Sequence, residues 1–300
     1  MRQLMEKLKT GLPGLEIREK EPMSSHTTFR IGGEADLFVS PGAEELEKLF
    51  AIAREEQVPI TVIGNGSNLL VGDRGVRGLV VEIGAGMSDI SLSGNILTAG
   101  AGALLSKVAN AAASAGLGGM EFAAGIPGSV GGAVTMNAGA YGGEIKDILK
   151  SVKVLTKDGQ FKILPVEELE LGYRHSCIPE KEYVVVEAEF VLTEKPEQEI
   201  REVMQDLAGR RREKQPLEYP SAGSTFKRPE GYFAGKLIMD AGLRGYAVGD
   251  AQVSEKHCGF VINRGNAAAE DVKELISDVQ RIVYEKFGVT LEPEVKIIGE

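Results

Sequence analysis

One arginine lies in a segment whose residue types suit the binding of an anion. Arg174 is part of Gly172-Tyr173-Arg174-His175-Ser176, just before a proline-bearing turn. An exposed guanidinium there could hold a carboxylate or a phosphate through two parallel hydrogen bonds. A surface ion pair is the commoner fate of a lone arginine, so this segment alone leaves both interpretations open.

A hydroxyl and a carboxylate stand in two further segments of the same kind. Ser224 lies in the loop Ser221–Pro229, which combines hydroxyls and glycine with two cations, more charge than a plain turn needs. Glu294 leads into a strand as apolar as a core strand. One of the two carboxylates there, Glu292 or Glu294, could therefore point into a cleft; the alternative is that both are solvated.

Two glycine-rich segments are candidates for binding a diphosphate. Gly64-Asn65-Gly66-Ser67-Asn68 follows a predicted strand, but Leu69 stands where a dinucleotide fingerprint requires glycine, so a Rossmann nicotinamide site is not supported. The second, Gly125–Gly132, lies in an uncharged stretch, 122–143, whose seven glycines and one proline argue against a membrane helix. We expect a buried loop region there, and together the two segments could offer several backbone N–H groups to one pyrophosphate.

Small side chains continue this region through Asn137–Tyr141, where a flat ring or a phosphate could approach the backbone; tight packing of two backbone segments explains them equally well.

A zinc site is also considered, because the chain has two pairs of neighbouring His and Cys residues: His175 with Cys177, and His257 with Cys258. Within each pair the spacing is shorter than that of the usual zinc ligands, so we expect buried thiols and no metal.

Composition limits the partners that the chain can have. A net charge of −10 over 300 residues argues against a broad nucleic-acid or anionic-membrane surface, although residues 201–250 form a basic window of nine cations and seven acids. Two cysteines cannot make a disulfide framework, and the first thirty residues carry charges throughout. We therefore expect a cytoplasmic protein without membrane insertion.

Hydrophobic periodicity predicts an alternation of helices and strands with a domain boundary at 193–199. The predicted helices cover 43–56, 103–115, 234–241 and 269–287, and a further helix runs through 210–214. The predicted strands cover 60–63, 69–71, 79–83, 152–156, 161–164, 183–192, 259–263 and 295–298.

Seven motifs in order closely resemble the UDP-N-acetylenolpyruvoylglucosamine reductase family over nearly the whole chain. They are His26–Gly33, Gly64–Leu70, Gly125–Gly132, Asn137–Gly142, Gly172–Ser176, Gly223–Lys227 and Leu291–Gly299. The length of the chain, and the lack of an inserted segment with a tyrosine, resemble the shorter subclass.

The resemblance implies an α+β fold. It consists of a two-lobed FAD-binding domain of the vanillyl-alcohol-oxidase type over residues 1–195, with lobes of about 1–83 and 84–195, and a C-terminal α/β substrate-binding domain over 205–294. The strand 295–300 could return to the first lobe. The implied reaction reduces UDP-N-acetylglucosamine enolpyruvate to UDP-N-acetylmuramate in peptidoglycan synthesis, with NADPH as hydride donor.

By the same matching, Arg174, Ser224 and Glu294 are the catalytic residues, with Ser224 as proton donor. The cofactor-binding residues implied are Arg30, Gly64, Asn65, Gly66, Ser67, Asn68, Gly125, Pro127, Gly128, Ser129, Gly131, Gly132, Asn137 and Gly139. The substrate-binding residues implied are Tyr173, Lys214, Lys227, Arg228, Arg244 and His257, of which Arg228 replaces an amide and Arg244 a lysine.

Two other functions remain to be weighed. An oxidase or dehydrogenase of the same flavin fold often tethers its flavin through His or Cys, and none lies between residues 27 and 174, so noncovalent FAD is expected. A silent UDP-sugar-binding protein would have eroded at least one of the three catalytic residues.

Overall fold

The computed structural model describes all residues from 1 to 300. Every helix and strand predicted above is present, although the ends of most differ from the prediction by a few residues. The helices are α1 (Arg2–Gly11), α2 (Ala43–Glu55), α3 (Leu105–Ser114), α4 (Val130–Thr135), α5 (Glu197–Lys214), α6 (Ala234–Asp240) and α7 (Ala269–Phe287). The strands are β1 (Ile17–Pro22), β2 (Glu34–Val39), β3 (Ile60–Ile63), β4 (Leu69–Val71), β5 (Val76–Glu82), β6 (Ile90–Ser93), β7 (Ile96–Gly100), β8 (Leu117–Gly118), β9 (Gly139–Ala140), β10 (Gly143–Glu144), β11 (Leu149–Leu155), β12 (Phe161–Pro165), β13 (Val184–Val191), β14 (Thr193–Glu194), β15 (Ala247–Val248), β16 (Ala251–Val253), β17 (Val261–Asn263) and β18 (Lys296–Ile298).

The chain divides into two compact units, each built from three stretches of sequence. Unit 1 comprises Met1–Arg18, Leu37–Asn65 and Gly78–Arg211; unit 2 comprises Glu19–Asp36, Gly66–Arg77 and Arg212–Glu300. The domain limits implied by the resemblance, 1–195 and 205–294, stay a prediction.

Unit 1 is organised around an antiparallel sheet of five strands in the order β12-β11-β13-β7-β6. The hairpin of β11 and β12 turns at Asp158-Gly159, and Gly159 adopts a φ of 84° that this turn requires. Elsewhere in the unit, β3 and β5 pair in parallel, from Ile60 opposite Leu79 to Ile63 opposite Glu82. A single apolar core joins these elements to the buried faces of α1, α2 and α3.

Two helices of unit 1 differ from the prediction. α1 was not predicted, and it buries Leu4 and Leu8, one turn apart. The stretch predicted as a loop region contains α4, because Val130, Ala133 and Val134 form an apolar face that the core covers. The expectation of an irregular loop throughout 122–143 was therefore wrong at its centre.

Unit 2 contains the antiparallel sheet β15-β16-β17, the parallel pair β4 and β18, and the helices α6 and α7. α7 buries a stripe of aliphatic residues that includes Val272, Leu275 and Val279, as the periodicity predicts. Burial of each such side chain contributes about 1.5–3 kcal/mol relative to exposure. None of the seven helices has the length and apolar character needed to cross a membrane.

Candidate functional site

Two of the predicted glycine segments meet in unit 1. The side-chain amide of Asn65 donates a hydrogen bond of 3.0 Å to the carbonyl of Pro127. Gly64 lies against Ser129, because a Cβ atom built on Gly64 would be 2.5 Å from Ser129 Oγ. Gly64 and Asn65 are therefore in direct contact with the second segment, and glycine at position 64 makes room for the Ser129 hydroxyl.

Ser129 is the most informative residue of this pair of loops. Its side-chain hydroxyl is buried and makes no hydrogen bond within the protein. A buried hydroxyl without a partner costs about 1–3 kcal/mol, so its position fits a site in which a polar group of a ligand, such as a phosphate oxygen, accepts its proton.

Not every N–H group of the second loop is free for a diphosphate. The N–H groups of Val130 and Gly131 donate to the carbonyls of Ala103 and Ala101, at 2.9 and 2.8 Å, and that of Gly128 donates to Ile126 at 2.9 Å. The loop is therefore held in place largely by backbone bonds to the segment between β7 and α3, and fewer donors remain for a ligand than the sequence suggests.

The remaining residues of the first glycine segment belong to unit 2. The carbonyl of Gly66 accepts the N–H of Thr28 at 3.3 Å, and a Cβ atom there would collide with the carbonyl of His26. Asn68 donates from its side-chain amide to the carbonyl of Glu294 at 3.1 Å. Arg30, also a predicted cofactor residue, is exposed and has a φ of 56°.

Arg174 lies at the second position of a two-residue turn in unit 1. Gly172 and His175 exchange hydrogen bonds of 3.1 and 3.3 Å across this turn, and Arg174 has a left-handed φ of 54°. Its guanidinium donates to the carbonyl of Gly139 at 3.3 Å and lies 5.2 Å from the centre of the Tyr173 ring. Arg174 is thus a partly buried side chain whose guanidinium contacts Gly139 and the Tyr173 ring.

Asn137 and Gly139, both predicted to bind cofactor, contact the segment Gly172–Ser176, which we call the arginine turn. Asn137 is fully buried, and its amide donates to the carbonyl of Gly172 at 2.9 Å and to Glu144 Oε2 at 2.7 Å. Its side-chain oxygen accepts the N–H of Lys146 at 2.9 Å. All three of these bonds are to protein groups.

Ser224 and Glu294 are brought together in unit 2. The carbonyl of Thr225 accepts the backbone N–H of Glu294 at 2.8 Å, and Thr225 Oγ1 accepts the N–H of Val261 at 2.9 Å. Gly223, with a φ of 74°, turns the chain before Ser224. Glu294 is 9% exposed, whereas Glu292 is exposed. Of the two carboxylates, Glu294 is therefore the buried one.

The predicted substrate residues of unit 2 are mostly cations with partners. Lys227 lies 3.2 Å from Glu292, Arg228 stacks 3.9 Å from the centre of the Phe233 ring, and Arg244 donates to the carbonyl of Glu255 at 3.0 Å. Lys214 is exposed at the end of α5.

His257 is partly buried in the same unit. Burial lowers the pKa of its imidazole, and Nδ1 accepts the N–H of Gly259 at 3.1 Å. The ring also packs edge-on against Phe260 at 5.1 Å. The neutral form is the one that this environment favours.

Unit 1 contains a cavity that was not predicted from the sequence. The cavity has a volume of about 270 Å³ and is lined by Gly125, Tyr141 and Arg211, together with apolar residues of α5 and the segment before α4. Burial lowers the pKa of the Arg211 guanidinium from its usual value. The basic window signalled cations here, but three consecutive arginines do not reveal which one faces inward.

The structure contains no set of side chains suited to bind a metal ion. No three His, Cys, Asp or Glu side chains gather in a group that could hold a metal ion, and both cysteines are buried as free thiols.

Two parts of the chain match known domain families. Residues 215–298 match the family described as UDP-N-acetylenolpyruvoylglucosamine reductase, C-terminal domain, and residues 35–164 match a family described as FAD binding domain. The chain is 62% identical to the UDP-N-acetylenolpyruvoylglucosamine reductase of Agathobacter rectalis over 96% of each chain. It is 55% identical to that of Lachnoclostridium phytofermentans over 99% of this chain and 97% of the other.

Solved structures agree with this assignment. The crystal structure of UDP-N-acetylenolpyruvylglucosamine reductase from Thermus caldophilus superposes with a TM-score of 0.81 at 39% identity, over 94% of this chain and 98% of that one. An alkyldihydroxyacetonephosphate synthase shares the fold alone, with a TM-score of 0.50 at 18% identity, over 65% of this chain and 40% of that one. The predicted fold class is confirmed: α+β, with an FAD-binding domain of the vanillyl-alcohol-oxidase type and a C-terminal α/β domain. The chain is an FAD-dependent oxidoreductase and belongs to the UDP-N-acetylenolpyruvoylglucosamine reductase family.

Proposed function

We propose that this chain uses NADPH to reduce UDP-N-acetylglucosamine enolpyruvate to UDP-N-acetylmuramate, a precursor of peptidoglycan, in the cytoplasm. The observation that carries the proposal is the 62% identity, over 96% of each chain, to a relative named for the reduction of this enolpyruvyl sugar. Its small-molecule partners are then the UDP-sugar and NADPH.

FAD, when bound, supplies a hydride acceptor for NADPH and a hydride donor for the vinyl carbon of the substrate. The residues that would hold it noncovalently are the paired loops of unit 1, with Ser129 Oγ donating to a phosphate oxygen and the backbone at Gly64 approaching closely. Arg30, Gly66, Ser67 and Asn68 are further residues that we propose to bind FAD.

Arg174 and Glu294 are proposed to stabilise the charge that develops on the substrate. Hydride addition to the vinyl carbon moves negative charge onto the carboxylate end and forms an enediolate. A guanidinium with fixed positive charge, such as that of Arg174, can hold this group through charge-assisted hydrogen bonds. The buried Glu294 assists only in its protonated form, in which it donates a hydrogen bond.

Ser224 is proposed to give its hydroxyl proton to the α carbon, which fixes the stereochemistry of the lactyl group. A serine hydroxyl is a weak acid, so the high basicity of the enediolate has to drive the transfer. The Lys227 ammonium is a candidate for assisting it. Lys227 would have to leave Glu292, and an exposed pair of this kind costs little to break.

The diphosphate and uridine of the substrate require cations and aromatic rings. Tyr173, Lys214, Arg228, Arg244 and His257 are the residues proposed to contact them. Tyr173 is 53% exposed, and its ring is therefore accessible to a ligand.

The reaction is tested by following NADPH oxidation with the enolpyruvyl sugar as acceptor and by weighing the product. The product should gain two hydrogen atoms, and in D₂O the α carbon should carry one deuterium. UDP-N-acetylglucosamine, which lacks the enolpyruvyl group, is the matched control and should not support turnover. NADPH oxidation that is equally fast with this control, and that consumes oxygen, would identify an oxidase and contradict the proposal.

A further inference from the structure

We propose that Asn137 is a positioning residue for Arg174 and does not bind the cofactor. The proposal rests on the function proposed above, in which Arg174 holds the substrate carboxylate.

Hydrogen bonds connect both ends of the arginine turn, Gly172–Ser176, to residues at or just after the end of α4. At one end, Asn137 donates to the carbonyl of Gly172 at 2.9 Å. At the other end, Ser176 Oγ donates to the carbonyl of Thr135 at 2.5 Å. Thr135 is the last residue of α4. Tyr173 and Arg174 therefore lie between two hydrogen bonds that both connect to the short stretch Thr135–Asn137.

The backbone conformation of this region has to be held by surrounding contacts. Asn137 has a φ of 44° and Arg174 a φ of 54°, values in the left-handed region, which asparagine tolerates comparatively well but an arginine rarely adopts. Conformations of this kind persist only where surrounding contacts hold them. The Arg174 guanidinium contacts the carbonyl of Gly139, and the amide of Asn137 contacts the carbonyl of Gly172 at the base of the turn.

The bonds of Asn137 also argue against a role as a cofactor ligand. Both of its hydrogen-bond donations are directed to protein groups, Gly172 and Glu144, and its oxygen accepts from Lys146. The residue is fully buried. Turning the amide toward a ligand would break bonds at three places at once.

Asn137→Gly is the variant that isolates the amide, because glycine adopts a φ of 44° without strain. Asn137→Asp is the second variant; it keeps the size of the side chain but places a carboxylate against the Gly172 carbonyl and the Glu144 carboxylate. Asn95→Ala is the control, since the amide of Asn95 also donates to a backbone carbonyl, that of Leu192 at 3.2 Å, in an exposed turn of the same unit.

Two measurements separate positioning from cofactor binding. In FAD-free protein, amide hydrogen exchange of the Tyr173–Ser176 segment should accelerate at least about tenfold in Asn137→Gly and stay unchanged in Asn95→Ala. In the FAD-loaded enzyme, reoxidation of the reduced flavin by saturating enolpyruvyl sugar should slow on the order of 10- to 100-fold, because misplacing Arg174 by about an ångström is costly. FAD affinity and flavin reduction by NADPH should change less than about threefold.

Loss of FAD affinity in Asn137→Gly, with exchange at Tyr173–Ser176 unchanged, would show that Asn137 binds the cofactor and would overturn the proposal. If Asn137→Gly fails to fold, Ser176→Ala is the substitute, because it removes the hydrogen bond to Thr135 at the other end of the turn. This variant should also show faster exchange and slower flavin reoxidation; normal reoxidation and exchange would overturn the proposal as well. A wild-type enzyme whose flavin is never reoxidised by the enolpyruvyl sugar would instead contradict the proposed function, while the exchange experiment would still decide the role of Asn137.

Discussion

The backbone N–H of Glu294 donates a hydrogen bond of 2.8 Å to the carbonyl of Thr225, the residue that follows Ser224. A second bond, of 2.8 Å from the N–H of Lys227 to the carbonyl of Glu292, makes the pairing a short ladder. The proposed proton donor and the proposed catalytic carboxylate are therefore carried by two adjacent segments that hold each other in register. Neither residue can shift along its segment without breaking this ladder.

Replacing Ser224 by alanine should affect only the second half of the reaction. Flavin reduction by NADPH needs no proton from Ser224 and should keep its rate, whereas flavin reoxidation by the enolpyruvyl sugar should slow by ~10²-fold or more. Stopped-flow absorbance of the two half-reactions measures both rates. Ser221→Ala, in the same loop, is the control and should leave both rates near wild type; equal reoxidation rates in the two variants would remove Ser224 as the acid.

Ser129→Ala should have opposite effects on the empty and the FAD-bound protein. Without FAD, the variant loses a buried hydroxyl that has no hydrogen-bond partner, so its stability should equal or exceed that of wild type. With FAD, it loses one hydrogen bond, and the dissociation constant should rise roughly fivefold. Thermal melts of the apoprotein and a fluorescence titration with FAD test the two halves; a destabilised apoprotein with unchanged FAD affinity would contradict this role.

Asp73 should stabilise α7 although it lies almost two hundred residues before it. Its carboxylate accepts the N–H groups of Ala269 and Glu270, at 2.7 and 3.0 Å, in the first turn of the helix. Loss of such a cap costs about 1 kcal/mol, so Asp73→Ala should lower the free energy of unfolding by that amount. Asp206→Ala, which removes only an exposed pair with Arg210, should cost less than about 0.5 kcal/mol in the same denaturant titration. Equal costs would disprove the cap.

His257 should make the protein less stable in mild acid. Burial lowers its pKa in the folded protein below the ordinary value of about 6.5. As the pH falls through that ordinary value, the unfolded chain takes up a proton that the folded protein refuses, so the stability decreases with falling pH. Above that value both states are neutral and the residue has no such effect. Denaturant titrations from pH 8 to pH 5 on wild type and His257→Gln should show a shallower acid loss in the variant; identical profiles would exclude this contribution.

Local patterns predicted five of the seven helices, because each of these depends on nearby residues, but they missed α1, α4 and strands such as β1 and β2. α7 extends from Ala269 to Phe287 as predicted, since its buried stripe repeats at helical spacing and Gly288, with a φ of 67°, ends it. Gly64 and Asn65 lie against the segment 125–132, and the role of both segments in binding a diphosphate stays a prediction.

Contacts between distant residues were not predictable in the same way. Nothing near Asp73 signals that it caps a helix beginning at Ala269, and the motif around Asn137 does not reveal that its amide faces Gly172. Similarly, the choice of Arg211 as the arginine that lines the cavity depends on how α5 is rotated against its neighbours. Such relations arise from tertiary packing, which one sequence does not encode in any local pattern.

The visible absorption spectrum of the purified protein, followed without oxygen, tests the central claim most directly. After loading with FAD, addition of NADPH should bleach the flavin spectrum, and addition of UDP-N-acetylglucosamine enolpyruvate should restore it in proportion to the sugar added. A spectrum that bleaches but does not return with this sugar would contradict the proposed substrate, and a protein that fails to take up FAD would contradict the account of the paired glycine loops as a whole.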